Sequence, residues 1–249
     1  MGLFFKEESW DLQVVDIHTH ILPGIDDGSS SWQESPDMAT LAYKNGVRSI
    51  VVTPHNKEYK ASASPEDILM LVKKLQDVLD RCEINIKIYP GNEIMRSASI
   101  EDLTENKYLE MNDSSYVLVE FKPGDPAKLL INQLNNIIRA GNKVILAHPE
   151  RYECLIEDFS LVKQIIDMGV LIQINTNSVI SKSNSKVYKF VRQMLKNKYV
   201  HFIASDMHDS KVRTPNFKEC IECLLKITDK EYIEELLYKN ANKYLGVSV

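Results

Sequence analysis

Two histidines, His18 and His20, stand two residues apart at the end of an apolar run containing Val14, Val15 and Ile17. Residues two apart on a strand share a face, so both imidazoles can address one centre while Thr19 points away. Asp27 follows in a turn marked by Pro23, Gly24 and Gly28. Other apolar runs end in the same way: His55 after Thr53 and Pro54, Glu93 after Pro90, Gly91 and Asn92, Glu120 after 116–119, His148 after 144–147, and Asp206 and His208 after 199–204. The set comprises five histidines and four carboxylates, nine candidate metal ligands in all. A catalytic ion needs three or four protein ligands, so nine imply two or three ions, with a carboxylate such as Glu93 bridging. Mixed nitrogen and oxygen donors suit manganese, iron or zinc better than a thiolate-selected metal. Three divalent ions against four carboxylates leave positive charge to hold a hydroxide and a phosphate, the arrangement of metal-assisted phosphoester hydrolysis. Any one of these residues alone could be a satisfied core histidine or a salt-bridged acid; six strand ends carrying such groups favour a site. His201, the sixth histidine, sits at a strand start and reads as structural.

The elements that must position these groups follow from the alternation of short apolar runs with amphipathic stretches. Strands are expected at 14–17, 47–52, 84–89, 116–119, 144–147, 170–174 and 199–204. Between and after them, helices are expected at 36–45 (with Ser35 as N-cap), 65–79, 126–140, 158–168, 186–197, 215–227 and 230–238, with a short one near 100–106. Seven strands alternating with helices argue an α/β fold with a parallel sheet and helices outside. In a parallel barrel the C-terminal strand ends open onto one face, which would gather residues spread from His18 to His208. Only the strand ending at Asn175 brings no obvious ligand. The absence of a linker or low-complexity segment argues one domain over 1–249.

The 249 residues, 44% hydrophobic and 26% charged, are ample for a large core. A formal charge of −5 gives no support for a nucleic-acid footprint. No apolar run approaches the roughly 20 residues of a membrane span, and the first residues do not read as a secretory signal, so a cytoplasmic protein is expected. Cys82, Cys154, Cys220 and Cys223 are too few for a disulfide scaffold. The pair Cys220 and Cys223 sits in a helical apolar pattern and reads as buried thiols. None of the four has an arginine six residues later, which excludes a Cys-x5-Arg phosphatase.

In combination, Asp16-x-His18-x-His20, His55, Glu93, Glu120, His148 and Asp206-x-His208 resemble the polymerase-and-histidinol-phosphatase (PHP) superfamily along the whole chain. The stretches Asp26-Asp27-Gly28, Val119-Glu120-Phe121, Ala147 to Tyr152 and Ala204 to His208 are similar to its bacterial manganese-dependent tyrosine-protein phosphatases of capsule and exopolysaccharide loci. The resemblance implies a distorted seven-stranded (β/α)7 TIM-like barrel with a trinuclear centre. It implies as substrate the phosphotyrosine-bearing tail of a bacterial tyrosine autokinase controlling polysaccharide export. It also places Arg151 and Arg213 at the phosphate, where a planar guanidinium can pair two oxygens at once. Asp206 and a metal-bound water are the candidate proton donors to the leaving tyrosine, between which the sequence does not decide, and Asp16 reads as a support rather than a ligand. The alternatives are another phosphoesterase of the superfamily, such as a histidinol-phosphate phosphatase, a nuclease, or a non-catalytic regulatory domain.

Overall fold

The computed structural model describes residues 13–56, 63–95, 108–181 and 185–249; the helix expected at 100–106 lies outside them. The chain begins with β1 (Val14–Thr19), α1 (Glu34–Lys44), β2 (Val47–Val52), α2 (Pro65–Arg81), β3 (Lys87–Tyr89), β4 (Glu93–Met95) and β5 (Tyr116–Glu120). Next come α3 (Ala127–Arg139), β6 (Lys143–Leu146), α4 (Glu153–Glu157), α5 (Ser160–Asp167), β7 (Leu171–Asn175), α6 (Thr176–Ile180), α7 (Lys186–Lys196) and β8 (Phe202–Ala204). The last helices are α8 (Phe217–Leu224), α9 (Lys230–Glu234) and α10 (Asn240–Leu245), with one π-helical turn over Glu235–Lys239 between the last two.

Among the described residues all strand pairs are parallel, but the expected single sheet of seven strands is instead eight strands in two sheets, β1-β2-β3 and β4-β5-β6-β7-β8. The extra strand arises because the run expected over 84–89 is interrupted. Pro90 has no N–H to give a ladder, and at Gly91 a Cβ would meet the Val52 carbonyl at 3.0 Å. The chain resumes at Glu93 as a separate strand on β5. The two sheets meet along two seams at the C-terminal strand ends. On one side His20 N–H donates to the Met207 carbonyl and Asp206 N–H to the His18 carbonyl, each at 2.9 Å. On the other Glu93 N–H donates to the Pro54 carbonyl at 3.2 Å, beside an isolated bridge between His55 and Glu93.

Helices cover the outside. α2 opens with a capping box, Ser64 accepting from Asp67 N–H while Asp67 accepts from Ser64 N–H. Ser35 is not the N-cap of α1, which starts at Glu34; its hydroxyl instead donates to the Ile21 carbonyl at 2.7 Å. Apolar side chains on the helices pack against outward-facing Val14, Ile50, Val117, Val119, Val144 and Ile172. Inward-facing Val15, Ile17, Val51, Leu118, Ile145 and Phe202 form a second core, closed from below by Ala241, Leu245 and Val247. Cys220 is buried on α8, as its apolar surroundings require. Among the described residues no helix is long and apolar enough to cross a membrane.

Candidate metal centre

Strict alternation along β1 would put His18 and His20 on the opposite face from Val15 and Ile17, away from the interior. The register of β1 against β2 slips between Asp16 and Thr19, three residues on one strand opposing two on the other. Such a bulge re-aims a side chain, and here it lets both histidines face inward. Asp16 anchors the distortion: its Oδ1 accepts Ser205 N–H at 2.9 Å. Burial pushes the Asp16 carboxyl up to about 6, against those hydrogen bonds. It is a support for the seam, and it belongs to no ligand cluster among the described residues.

The structure brings all nine candidate ligands together in four overlapping groups: His20, Asp27, His55 and His208; His18, His20 and Asp206; His18, Glu93 and His148; and His55, Glu93 and Glu120. Glu93 is central. Its Oε1 lies 3.0 Å from His148 Nε2, and its Oε2 lies 3.1 Å from His18 Nε2, 3.3 Å from His20 Nε2 and 3.1 Å from His55 Nδ1. Burial alone would raise the Glu93 carboxyl, yet the charge of His18 and hydrogen bonds from His148, His18 and His20 hold it well below the usual carboxylate range. Burial works against a proton on His20, but hydrogen bonds to Asp206, Asp26 and Glu93 raise it well above the ordinary imidazole value.

Several contacts fix ring orientation from behind. His20 Nδ1 meets Asp26 Oδ2 at 2.7 Å, His18 Nδ1 meets Gln173 Oε1 at 3.0 Å, and His208 Nδ1 meets the Asp206 carbonyl at 3.0 Å. Each leaves the Nε2 atom for the centre, the pattern by which outer partners orient metal-bound histidines. Asp26 also accepts Gly28 N–H at 2.9 Å and His55 N–H at 3.1 Å. A Cβ on Gly28 would lie 2.1 Å from the His20 carbonyl oxygen, so only glycine lets this loop close over His20.

The stretch 147–152 does four things at once. His148 enters the centre from a left-handed backbone with φ of +30°. Glu150 Oε1 accepts Asn175 N–H at 2.9 Å. Arg151 Nη2 reaches Asp206 Oδ2 at 2.6 Å. The Tyr152 hydroxyl donates to the Ala147 carbonyl at 2.7 Å and accepts Phe121 N–H at 3.0 Å, pinning this loop to β5. Arg213 Nη2 arrives at the same Asp206 Oδ2, 2.8 Å away. Asp206, at φ of +52°, therefore turns one oxygen to the arginines. Its other oxygen, Oδ1, lies 3.5 Å from His18 Nε2, His20 Nε2 and His208 Nδ1. The arginines are 42% and 36% exposed and stand at the mouth.

The donor set fits divalent cations. Glu93 Oε2, Glu120 Oε1 and His208 Nε2 are buried at the centre and face other candidate ligands at 3.1–3.4 Å, a crowding of ionisable groups that a cation relieves. The first and third groups share no residue, so two ions can be held at once. Sequence reasoning did not assign roles to Asp26, Glu150, Gln173 or Asn175. The two acids lie in turns and the two amides inside an apolar strand, where no periodicity marks them.

The family described as "Capsular polysaccharide synthesis, CpsB/CapC" matches residues 14–246. The tyrosine-protein phosphatase YwqE of Bacillus subtilis is 31% identical over 227 residues, spanning 90% of this chain and 87% of that protein. The tyrosine-protein phosphatase CpsB of Streptococcus agalactiae is 32% identical over 241 residues, 93% of this chain and 98% of that one. A crystal structure from the work on Bacillus subtilis YwqE and Streptococcus pneumoniae CpsB, described as unique metal-dependent tyrosine phosphatases, superposes with a TM-score of 0.85 at 28% identity, over 94% of this chain and 95% of the other. Histidinol phosphate phosphatase of Lactococcus lactis superposes with a TM-score of 0.54 at 14% identity, over 86% of this chain and 93% of that one, a likeness of fold alone.

Proposed function

The chain belongs to the CpsB/CapC family of capsular polysaccharide synthesis, and on that premise we propose that it is a metal-dependent protein-tyrosine phosphatase. Its substrate is the phosphotyrosine-bearing tail of a bacterial tyrosine autokinase, and its place of action is the cytoplasm. The observation that carries this reading is the division of Asp206: one carboxylate oxygen faces three histidines of the metal groups and the other holds Arg151 and Arg213. A phosphoryl group that takes the guanidiniums in place of Asp206 Oδ2 is thereby set against the metal site.

The nine ligands would hold two or three divalent ions, manganese first, with iron or zinc as alternatives. Such ions supply positive charge and acidify water enough for hydroxide to form near neutral pH. Arg151 and Arg213 bind the phosphoryl oxygens and offset the charge that gathers on them during in-line displacement. Asp206 acts as an acceptor rather than a proton donor. Its Oδ2 already receives Arg151, Arg213 and Asn175. Against its burial, the charges of His18, His148 and Arg151 and a bond from His20 keep it well below the usual carboxylate range. A tyrosine oxygen, with a pKa of about 10, departs without a strong acid beside it.

The test is hydrolysis of a phosphotyrosine peptide and of histidinol phosphate by purified protein, with manganese and with chelator. Peptide turnover that chelator abolishes is expected. Faster turnover of histidinol phosphate would assign the site to a small metabolite, and full metal content without turnover of either would leave a binding domain.

A further inference from the structure

β7, like β3, contributes no candidate metal ligand, yet it buries two amides at its mouth end, Gln173 and Asn175. Buried amides are costly unless their hydrogen bonds are made, and these are made in one direction. Asn175 Nδ2 donates to Asp206 Oδ2 at 2.9 Å, which turns Asn175 Oδ1 toward Gln173. Gln173 Nε2 donates to that oxygen at 2.8 Å, which turns Gln173 Oε1 toward His18. Gln173 Oε1 lies 3.0 Å from His18 Nδ1 and also receives His148 N–H at 3.4 Å. A carboxylate without a proton can only accept, so the polarity of the whole row is set from the Asp206 end. The far end must then be a donor: His18 carries a proton on Nδ1, so the proton a cation would displace is the one on Nε2, which faces Glu93 and the centre. Asn175 is itself held from behind, its N–H on Glu150 Oε1.

We infer that Gln173 and Asn175 are positioning residues that couple the arginine-bearing carboxylate Asp206 to the tautomer of His18, and so prepare His18 as a metal ligand. This rests on the metal reading of the site, but the relay itself is drawn from atoms of the chain. The same strand thus aligns the two ends of the site: His18 inside and Asp206 under Arg151 and Arg213 at the mouth. A purely structural pair of amides would satisfy each other without fixing the proton on His18.

The test pairs two variants with a spectroscopic measurement. Gln173→Leu keeps the bulk and removes the acceptor; its zinc affinity, from chelator competition, is expected to fall about 10–100-fold. Gln173→Glu restores an acceptor for His18 Nδ1–H and is expected to regain most of that loss. Wild-type affinity in Gln173→Leu, or equal losses in both variants, would overturn the relay. Nitrogen-15 spectra of the zinc-loaded wild-type protein decide the matter if the leucine variant fails to fold. A slowly exchanging proton on His18 Nδ1 is expected, and a proton on Nε2 instead would overturn it. Wild-type protein that takes up no zinc would overturn the metal reading, while the His18 spectrum of that same protein still tests the relay.

Discussion

Both guanidinium groups at the mouth rest on one carboxylate oxygen, Asp206 Oδ2, so substrate binding exchanges one anion for another rather than filling an unpaired site. A hydrogen bond to a charged group contributes about 1.5–3 kcal/mol, and the exchange points to the lower part of that range. Arg151→Ala and Arg213→Ala are therefore each expected to lower kcat/KM on a phosphotyrosine peptide roughly 10–40-fold. Lysine at either position should recover little, because a single ammonium cannot pair two oxygens. The double variant should lose less than the product of the two, since both side chains share a partner. Steady-state kinetics on the three proteins checks this, and wild-type kcat/KM in both alanine variants would remove the arginines from the phosphate site. Gly28 makes a second residue-scale case. A methyl group there meets the His20 backbone at 2.1 Å, and backbone cannot swing aside as a side chain can. Gly28→Ala should cost about 1–3 kcal/mol of stability and loosen the Asp26 contact behind His20, seen as a lower Tm together with lower bound metal.

At the scale of elements, β7 and β8 are tied by a histidine outside the site. His201 N–H donates to the Ile172 carbonyl at 2.8 Å, and its Nδ1 accepts Ile172 N–H at 3.1 Å. Burial pushes the His201 imidazole down to about 4 from an ordinary 6.5. The folded chain thus refuses a proton that the unfolded chain accepts, so this contribution is fully present above pH 6.5. It is lost as pH falls toward 4, at about 1.36 kcal/mol per pH unit and about 3 kcal/mol in total. His201→Asn keeps an acceptor and removes the titration. Urea midpoints from pH 7 to 4 should therefore fall more steeply for wild type than for the variant, and parallel curves would refute the assignment. His201 was legible as structural from its place at a strand start. The ligands were legible for a related reason: parallel strands end on one side, so a histidine or acid after each apolar run must gather there. The bulge in β1 was not, because the sequence from Val15 to His20 alternates smoothly and the slip is imposed by pairing with β2. Nor was β4, whose three residues are too short for any period to show. Gln173 and Asn175 stayed silent because their partners, His18 and Asp206, lie far along the chain and amides carry no motif.

Taken as a whole, the molecule is two parallel sheets whose edges meet where the candidate ligands sit. Every one of the four ligand groups draws from both sheets: His18, His20, Asp27 and His55 come from β1, β2 and the loops after them, and Glu93, Glu120, His148, Asp206 and His208 from β4, β5, β6, β8 and their ends. Ions bound in these groups would clamp both seams, and an ion at 100 times its Kd stabilises the folded state by about 2.7 kcal/mol. For a chain of this size that corresponds to a Tm lower by roughly 5–10 °C after chelation. The loosening should be local before it is global. The seam amides are those of His20, Asp206 and Glu93, bonded across the sheets to Met207, His18 and Pro54. Ala147 N–H, bonded to the Val119 carbonyl at 2.9 Å, lies at the same height but within one sheet. Hydrogen exchange in chelated protein is expected to quicken by up to about 100-fold at the three seam amides and much less at Ala147. Equal acceleration at all four would mean that the ions stabilise the fold without bridging its sheets. Unchanged exchange at the seams, with metal demonstrably removed, would mean that backbone pairing alone holds them closed.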